Sequence, residues 1–339
     1  MCIRDRNLAA AIASGDVPLW VREVLSLGRA TALKKGATGV RPLVCHEPLR
    51  RLLTRALIFD VHEDIQAHVG PNQFAVGISG GCPAMALSVQ KLAHKHRNLV
   101  FFKLDLVNAY NTQSREDALE SLQEAAPELA SFLRQFYGTP SQYLYRLGRN
   151  DHTIITAREG IEQGDAAGPA LFACGLKRPL DELRIALRRL VREGEGYEAD
   201  CENEGQEGEA DTPDATAVFA YLDDTIVAVP SQYAAAAFDA AIEVFARAGH
   251  TVHPGISGCW SLDTRRESLP PSCQRIWEPD GLLVGGIPVY DQGKEPVLAQ
   301  NKLREVVSNA AKEAVFWLSW FAITSWQLTR AGPVFKLRC

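Results

Sequence analysis

The chain has 339 residues, 46% hydrophobic and 23% charged, which supplies apolar material for more than one packed core and excludes a disordered or fibrous protein. Its formal net charge of −5 is unevenly spread: residues 193–214 hold ten acids and no Lys or Arg, so the remainder is net positive, and residues 1–55 hold ten Lys or Arg against four Asp or Glu. A basic face of that kind suits a polyanion such as nucleic acid, or is a plain solvated surface.

No stretch reaches the ~18 apolar residues needed to cross a bilayer, and the longest, 314–326, reads as a buried helix. The N-terminus lacks the pattern of a secretory signal. Eight cysteines lie scattered without a C-x-x-C pair, against a zinc site or a disulfide framework. The expectation is an intracellular protein, in cytoplasm or nucleus, with reduced thiols, no zinc and no membrane partner.

Residues 7–33 have weak helical patterning, and 38–44 read as a short strand. A helix is expected from Pro48, with Leu49, Leu52, Leu53, Leu57 and Val61 on one stripe. A Gly-rich turn at 77–81 precedes a helix to about residue 94, and the apolar run 99–106 reads as a buried strand ending near Asp105. Helices over 114–124 and 127–137 follow, then a hairpin (142–147 and 152–158). A long amphipathic helix over 165–192 carries Leu176, Leu180, Leu183, Leu187 and Leu190 on one face. The acidic tract 193–214 cannot bury enough apolar area to offset its chain entropy and reads as a solvated loop. Beyond it, 217–222 and 225–229 are strand-like runs separated only by Asp223-Asp224, at hairpin spacing. A helix over 231–248, a hairpin near 281–290 and a helical stretch from 296 complete an α+β pattern.

Two adjacent carboxylates between apolar strands need a compensating cation, and Asp105, at the end of another apolar strand, has the same need. Side by side, such strands bring Asp105 and Asp223 together, where divalent metal makes like charges tolerable. Oxygen-only ligands favour Mg²⁺, and paired Mg²⁺ ions are the recurring device of phosphoryl transfer; Mn²⁺ is the alternative.

These residues resemble the reverse transcriptases, in particular those of non-LTR retrotransposons and more distantly of group II introns. Residues 102–111 (FKLDLVNAYN) are similar to the family's first palm motif, 163–169 (QGDAAGP) to its second and 221–224 (YLDD) to its third, in the family's order. Gly39-Val40-Arg41-Pro42-Leu43 resembles its fingers segment, and Gly285-Gly286-Ile287-Pro288-Val289 its primer-grip hairpin.

The resemblance implies a right-hand polymerase with fingers, an antiparallel palm sheet and a partial thumb. It implies that Asp105, Asp223 and the carbonyl of Leu106 hold the metals while Asp224 supports the edge of the site. Lys34, Lys35 and Arg41 become the candidates for the incoming triphosphate, Gln163 and Gly164 for the floor beneath nucleotide and templating base, and Tyr110 for exclusion of a ribose 2′-hydroxyl. Gly285, Gly286 and Ile287 become the primer grip, and an RNA template, a DNA primer and dNTPs the partners.

The domains implied are an N-terminal extension (1–29), fingers (30–98), a fingers/palm hairpin (139–160), palm (99–138, 161–192 and 215–292) and a partial thumb (293–339). A lysine that many relatives carry after the catalytic hairpin is missing from 249–257, where His250 and His253 are either substitutes or ordinary polar residues. The chain is expected to be a fragment of a retroelement polyprotein. RNA-directed RNA synthesis and a non-catalytic nucleic-acid-binding remnant are the competing functions.

Overall fold

The computed structural model describes residues 3–35, 39–194, 216–253 and 255–312. Two compact units divide the chain, Met1–Val289 and Tyr290–Cys339; residues 297–312 of the second are helical. The apolar stretch 314–326 and nearly all of the acidic tract lie outside the described residues. Among the described residues no helix is long and apolar enough to cross a membrane.

The first unit begins with helices α1 (Ile3–Ser14) and α2 (Leu19–Ser26), followed by strands β1 (Gly28–Lys35) and β2 (Gly39–Cys45). Residues 28–33 are therefore strand, not the continued helix that their Ala, Leu and Arg content predicts. Antiparallel pairing with β2, from Arg29 opposite Cys45 to Lys35 opposite Gly39, overrides a weak local preference. Pro42 is tolerated because β2 is the outer strand of the sheet β2-β1-β4-β5, formed with β4 (Ser141–Arg146) and β5 (His152–Ala157).

Helix α3 (Pro48–Val69) starts where the Glu47 carboxylate accepts hydrogen bonds from the Leu49 and Arg50 amides, at 2.6 and 3.2 Å. Leu49, Leu53, Leu57 and Val61 pack inward as their spacing predicts, whereas Leu52 is exposed. Next come α4 (Gly81–Lys95), β3 (Leu99–Leu104), the short α5 (Ala109–Thr112), α6 (Arg115–Ala125), α7 (Pro127–Tyr137) and, after β4 and β5, the long α8 (Gly168–Gly194).

A second sheet, in order β6-β7-β3-β8, is built from β6 (Ala217–Tyr221), β7 (Asp224–Pro230), β3 and β8 (Gly258–Ser261), all pairs antiparallel. It is covered on both faces. Val100, Phe102 and Leu104 enter one core with α8 and with α9 (Ala234–Arg247), while Leu99 and Phe101 enter another with α4 and the hairpin β9 (Leu282–Val284)–β10 (Ile287–Val289). Double burial explains why β3 reads as an unbroken apolar run. The short helix α10 (Pro271–Arg275) completes the first core through Cys273.

Helix α8 joins this sheet to the helical layer. Phe172, Leu176, Leu180, Leu183 and Leu187 face the sheet, with Leu190 partly buried beside them, and Leu171, Ala173 and Cys174 face a core of α1, α2, α3, α6 and α7. The segment just before α8 is thereby held between the two layers.

Candidate active site

Strands β3 and β7 pair with Leu104 opposite Thr225, so Asp105 and the Asp223-Asp224 turn emerge at the same end of neighbouring strands. Tyr221 pairs with Asp224, leaving Leu222 and Asp223 as a two-residue loop. Leu222 has φ +55°, a left-handed conformation that costs a non-glycine residue about 1–3 kcal/mol. Asp105 and Asp223 line one cleft of about 640 Å³.

Burial within the cleft walls raises the Asp223 carboxyl above its ordinary range; Asp224 and Asp105 add to this by repulsion, and Lys35 partly offsets it. Asp224 is placed differently, at the edge and 3.5 Å from the Lys103 ammonium. Asp105 is fixed through its backbone: its carbonyl accepts from the His253 amide at 2.8 Å and its amide donates to Ser257 Oγ at 3.3 Å. Leu106 bridges Val252 through hydrogen bonds made by its neighbours Asp105 and Val107, which leaves its own carbonyl out of the bridge. Two mutually repelling carboxylates and a backbone carbonyl form an oxygen-only donor set that fits a hard divalent cation.

The floor of the cleft is the segment from Glu162 to Asp165, docked on β2. Val44 donates its amide to the Gln163 carbonyl at 2.7 Å. Gly164 has φ +105°, and a Cβ there would lie 2.6 Å from the Val44 carbonyl oxygen. Glycine is required at this position by the close backbone of β2 and not by a ligand alone.

Beneath the floor lies a buried polar network that motif spacing does not reveal. Arg50 donates to Asp165 Oδ2 at 2.6 Å and to Glu162 Oε2 at 3.3 Å, with its guanidinium 4.2 Å from the Phe136 ring centroid. Arg50 Nη1 also lies 3.0 Å from His46 Nδ1, which as the acceptor leaves the imidazole proton on Nε2, 2.6 Å from Glu162 Oε2. The hydroxyls of Tyr137 and Tyr143 donate to Asp165 and Glu162 at 3.0 and 2.8 Å. Burial alone would raise the Glu162 carboxyl; the His46 hydrogen bond and the Arg50 charge outweigh it and hold the group far below the ordinary range. Ligand atoms of His46, Glu162 and Asp165 fall within 4.8 Å of one another, but Arg50 already supplies their cation.

Tyr110 lines the cleft on the short α5, and its carbonyl accepts the Ile161 amide at 2.6 Å. Burial, then the Asp223 charge, holds its phenol strongly protonated. Of the two histidines, His253 lines the cleft, and its Nδ1 accepts the Gly255 amide at 3.1 Å. His250 instead is buried, bonded to Thr112 Oγ1 at 3.1 Å and Gln113 Oε1 at 3.2 Å, with its pKa lowered by burial.

Lys35, Arg41, Gln163 and Gly164 line the cleft with the carboxylates. Lys34 does not, because side-chain alternation sets it on the opposite face of β1 from Lys35. Gly285 and Gly286, with φ +55° and +80°, form the two-residue turn of the β9–β10 hairpin and lie with Ile287 away from the cleft lining, beside α4, where the Gly285 carbonyl accepts from Cys82 Sγ at 3.2 Å.

The sequence matches the family described as reverse transcriptase (RNA-dependent DNA polymerase) over residues 32–254. Among curated proteins no relative matches. Among solved structures, the chain is similar to telomerase from Candida albicans in complex with a TWJ fragment of telomeric RNA (TM-score 0.51, 9% identity, covering 74% of this chain and 44% of that one). It is also similar to apo telomerase from Candida tropicalis truncated from the C-terminal domain (TM-score 0.50, 9% identity, covering 71% of this chain and 51% of that one). The likeness is one of fold, and the chain spans about half the length of the solved structures it matches.

Proposed function

The chain belongs to the reverse transcriptase family, and we propose that its cleft extends a DNA primer 3′-hydroxyl with dNTPs on an RNA template. The observation that carries this reading is the convergence on one cleft of Asp105, Asp223, Lys35, Arg41 and the Gln163–Gly164 floor.

Divalent ions, Mg²⁺ by the hardness of the donor set, supply when bound the positive charge that acidifies the 3′-hydroxyl and neutralises the triphosphate and its departing pyrophosphate. Asp105 and Asp223, with the Leu106 carbonyl, are the residues that hold them. Lys35 and Arg41, on the β1–β2 hairpin, bind the triphosphate; Arg41 offers a planar fork of donors to its oxygens. Gln163 and Gly164 support the nucleotide and its template base. Tyr110 stands where a bulky ring excludes a ribose 2′-hydroxyl, and this favours DNA over RNA synthesis. His253, as an imidazolium returning to neutral imidazole, donates its Nε2 proton to the leaving pyrophosphate where relatives carry lysine.

By this reading the sheet β6-β7-β3-β8 with α8 and α9 is the palm (99–138, 161–192 and 215–292), 30–98 form the fingers, and the hairpin 139–160 lies between fingers and palm. Gly285–Ile287 grip the primer and the thumb begins near 293. The motif set, which resembles that of non-LTR elements, supports an origin in a retroelement protein.

The test is extension of a DNA primer on an RNA template with Mg²⁺ and dNTPs, using the Asp223→Ala variant as the blank. Template-dependent extension by the parent and none by the variant supports the function. A parent that binds the duplex without extending it makes the chain a binding remnant.

A further inference from the structure

The turn that presents Asp223 is not self-supporting. Leu222, the first residue of its two-residue loop, holds φ +55° although Asp223 does not have positive φ, and that pattern normally takes glycine at the first position. A left-handed leucine persists only where its surroundings determine it.

The determinant comes from a segment outside the palm motifs. Between α3 and α4, residues 72–74 run along the outer side of β6, where Gln73 forms an isolated parallel bridge. Ala220 donates its amide to the Asn72 carbonyl at 2.7 Å, Phe74 donates to the Ala220 carbonyl at 2.8 Å, and Gln73 bridges Ala220. These backbone bonds set Gln73 two residues short of the turn, and its side chain covers the remaining distance: Gln73 Oε1 accepts the Leu222 amide at 2.9 Å. The same oxygen accepts the Ala75 amide at 3.3 Å, so two donors converge on it and fix which end of the amide is oxygen. Gln73 is 1% exposed, and its Nε2 is buried without a hydrogen-bond partner among the described residues. A buried glutamine that leaves its own donor unpaired while its acceptor serves two backbone amides is held in place for that acceptor.

We infer that Gln73 is a positioning residue for the metal-binding turn: its side-chain carbonyl clamps the Leu222 amide and so fixes the direction in which Asp223 enters the cleft. Asparagine is one methylene too short to reach from the same backbone position. Glutamate keeps the acceptor and exchanges the unpaired nitrogen for a second oxygen, at the cost of burying a carboxyl group. The role rests on reading the cleft as a polymerase centre, and it predicts that Gln73 governs metal affinity and kcat without governing nucleic-acid affinity.

The experiment compares the parent with Gln73→Met, which keeps length and volume but lacks the acceptor, and with Gln73→Glu. Each full chain is assayed for primer extension, for primer–template Kd, for thermal midpoint, for Mn²⁺ affinity by calorimetry on the protein alone, and for amide hydrogen exchange across residues 218–226. For Gln73→Met the expected result is a kcat lower by about tenfold, an Mn²⁺ Kd raised about fivefold, faster exchange at the turn and an unchanged primer–template Kd. Gln73→Glu is expected to recover most of the lost affinity. Should Gln73→Met fail to fold, Gln73→Asn is measured in its place, with the same direction expected.

Parental Mn²⁺ affinity and parental exchange in a folded Gln73→Met or Gln73→Asn variant overturn the inference. So does a lowered thermal midpoint with unchanged kcat per folded molecule. A parent that binds Mn²⁺ but extends no primer overturns the polymerase reading, while the Mn²⁺ and exchange measurements still decide the role of Gln73.

Discussion

Tyr110 lies flat on Phe172, with ring centroids 4.3 Å apart and the planes 4° from parallel, and Phe172 is met edge-on by His250 at 6.5 Å. The stack leaves the Tyr110 ring few rotamers, so its reach toward a nucleotide sugar is set by a residue of α8. Tyr110→Ala is expected to raise ribonucleotide relative to deoxyribonucleotide incorporation at least tenfold, about 1.4 kcal/mol of lost discrimination. Phe172→Leu, which keeps Tyr110 but removes the ring beneath it, shifts the ratio in the same direction by less. The ratio of kcat/KM for the two sugars, measured beside the thermal midpoint, checks both. A core aromatic without a gating role gives instead a loss of about 3–5 kcal/mol of stability at an unchanged ratio.

Asp105→Ala and Asp223→Ala are each expected to abolish extension while leaving primer–template affinity within about twofold, because they remove oxygen donors and leave the basic surface intact. Filter binding and single-turnover extension on the same preparations separate the two effects. Near-parental rates in either variant contradict the assignment.

The network under the cleft floor predicts how stability depends on pH. The folded Glu162 carboxyl titrates far below its unfolded counterpart, so its contribution is complete above the ordinary carboxylate range and is lost as pH falls from about 4.5 toward the folded value. His250 adds an earlier loss of the same sign: with its pKa lowered by burial, the unfolded chain binds protons more readily below about pH 6.5. Denaturant melts between pH 7.5 and 4 should show stability falling in both windows. In His250→Gln the slope near pH 6.5 should flatten while the one below pH 4.5 remains.

At pH 7, Arg50→Met is expected to destabilise by about 3–5 kcal/mol, since Glu162 and Asp165 then lie buried with no guanidinium between them. Adding Glu162→Gln to that variant removes one of the stranded charges and should recover part of the loss. A double variant as unstable as the sum of the singles would show that the groups act independently.

The carboxylates were legible in the sequence because charge next to unbroken apolar strands has few physical excuses, and β3 and β7 carry Asp105 and Asp223 in just that setting. The strand character of 28–33 was not, since it exists only through pairing with β2. Four-residue β8 is buried on both sides and has no periodicity to read. The residues that shape the site from behind were hidden for a different reason. Arg50 meets Asp165 from 115 positions away and Gln73 meets Leu222 from 149, distances over which spacing carries no signal. Flanking acids around Gln163-Gly164 were the one visible hint, two carboxylates in a segment that the fold must bury.

The two histidines that follow α9 make opposite predictions although they stand three residues apart. His250 is enclosed by Thr112, Gln113 and Phe172, so His250→Gln should lower the thermal midpoint and leave the chemical step of folded protein near parental. His253 lines the cleft beside Asp105, whose carbonyl its own amide holds at 2.8 Å, and the Gly255 amide occupies its Nδ1. For the ring to act as an acid, Nδ1 must take up a proton and release the Gly255 amide; the imidazolium then gives up its Nε2 proton and returns to neutral imidazole. His253→Gln should slow the single-turnover rate by about a hundredfold, the low end of general-acid catalysis, with little change in the KM for dNTP. His253→Lys, which restores a cationic donor, should recover much of the rate and move the pH profile of kcat to higher pH. A rate unchanged in His253→Gln, or a KM that rises with kcat intact, would make His253 a wall of the cleft and leave protonation of the pyrophosphate to water.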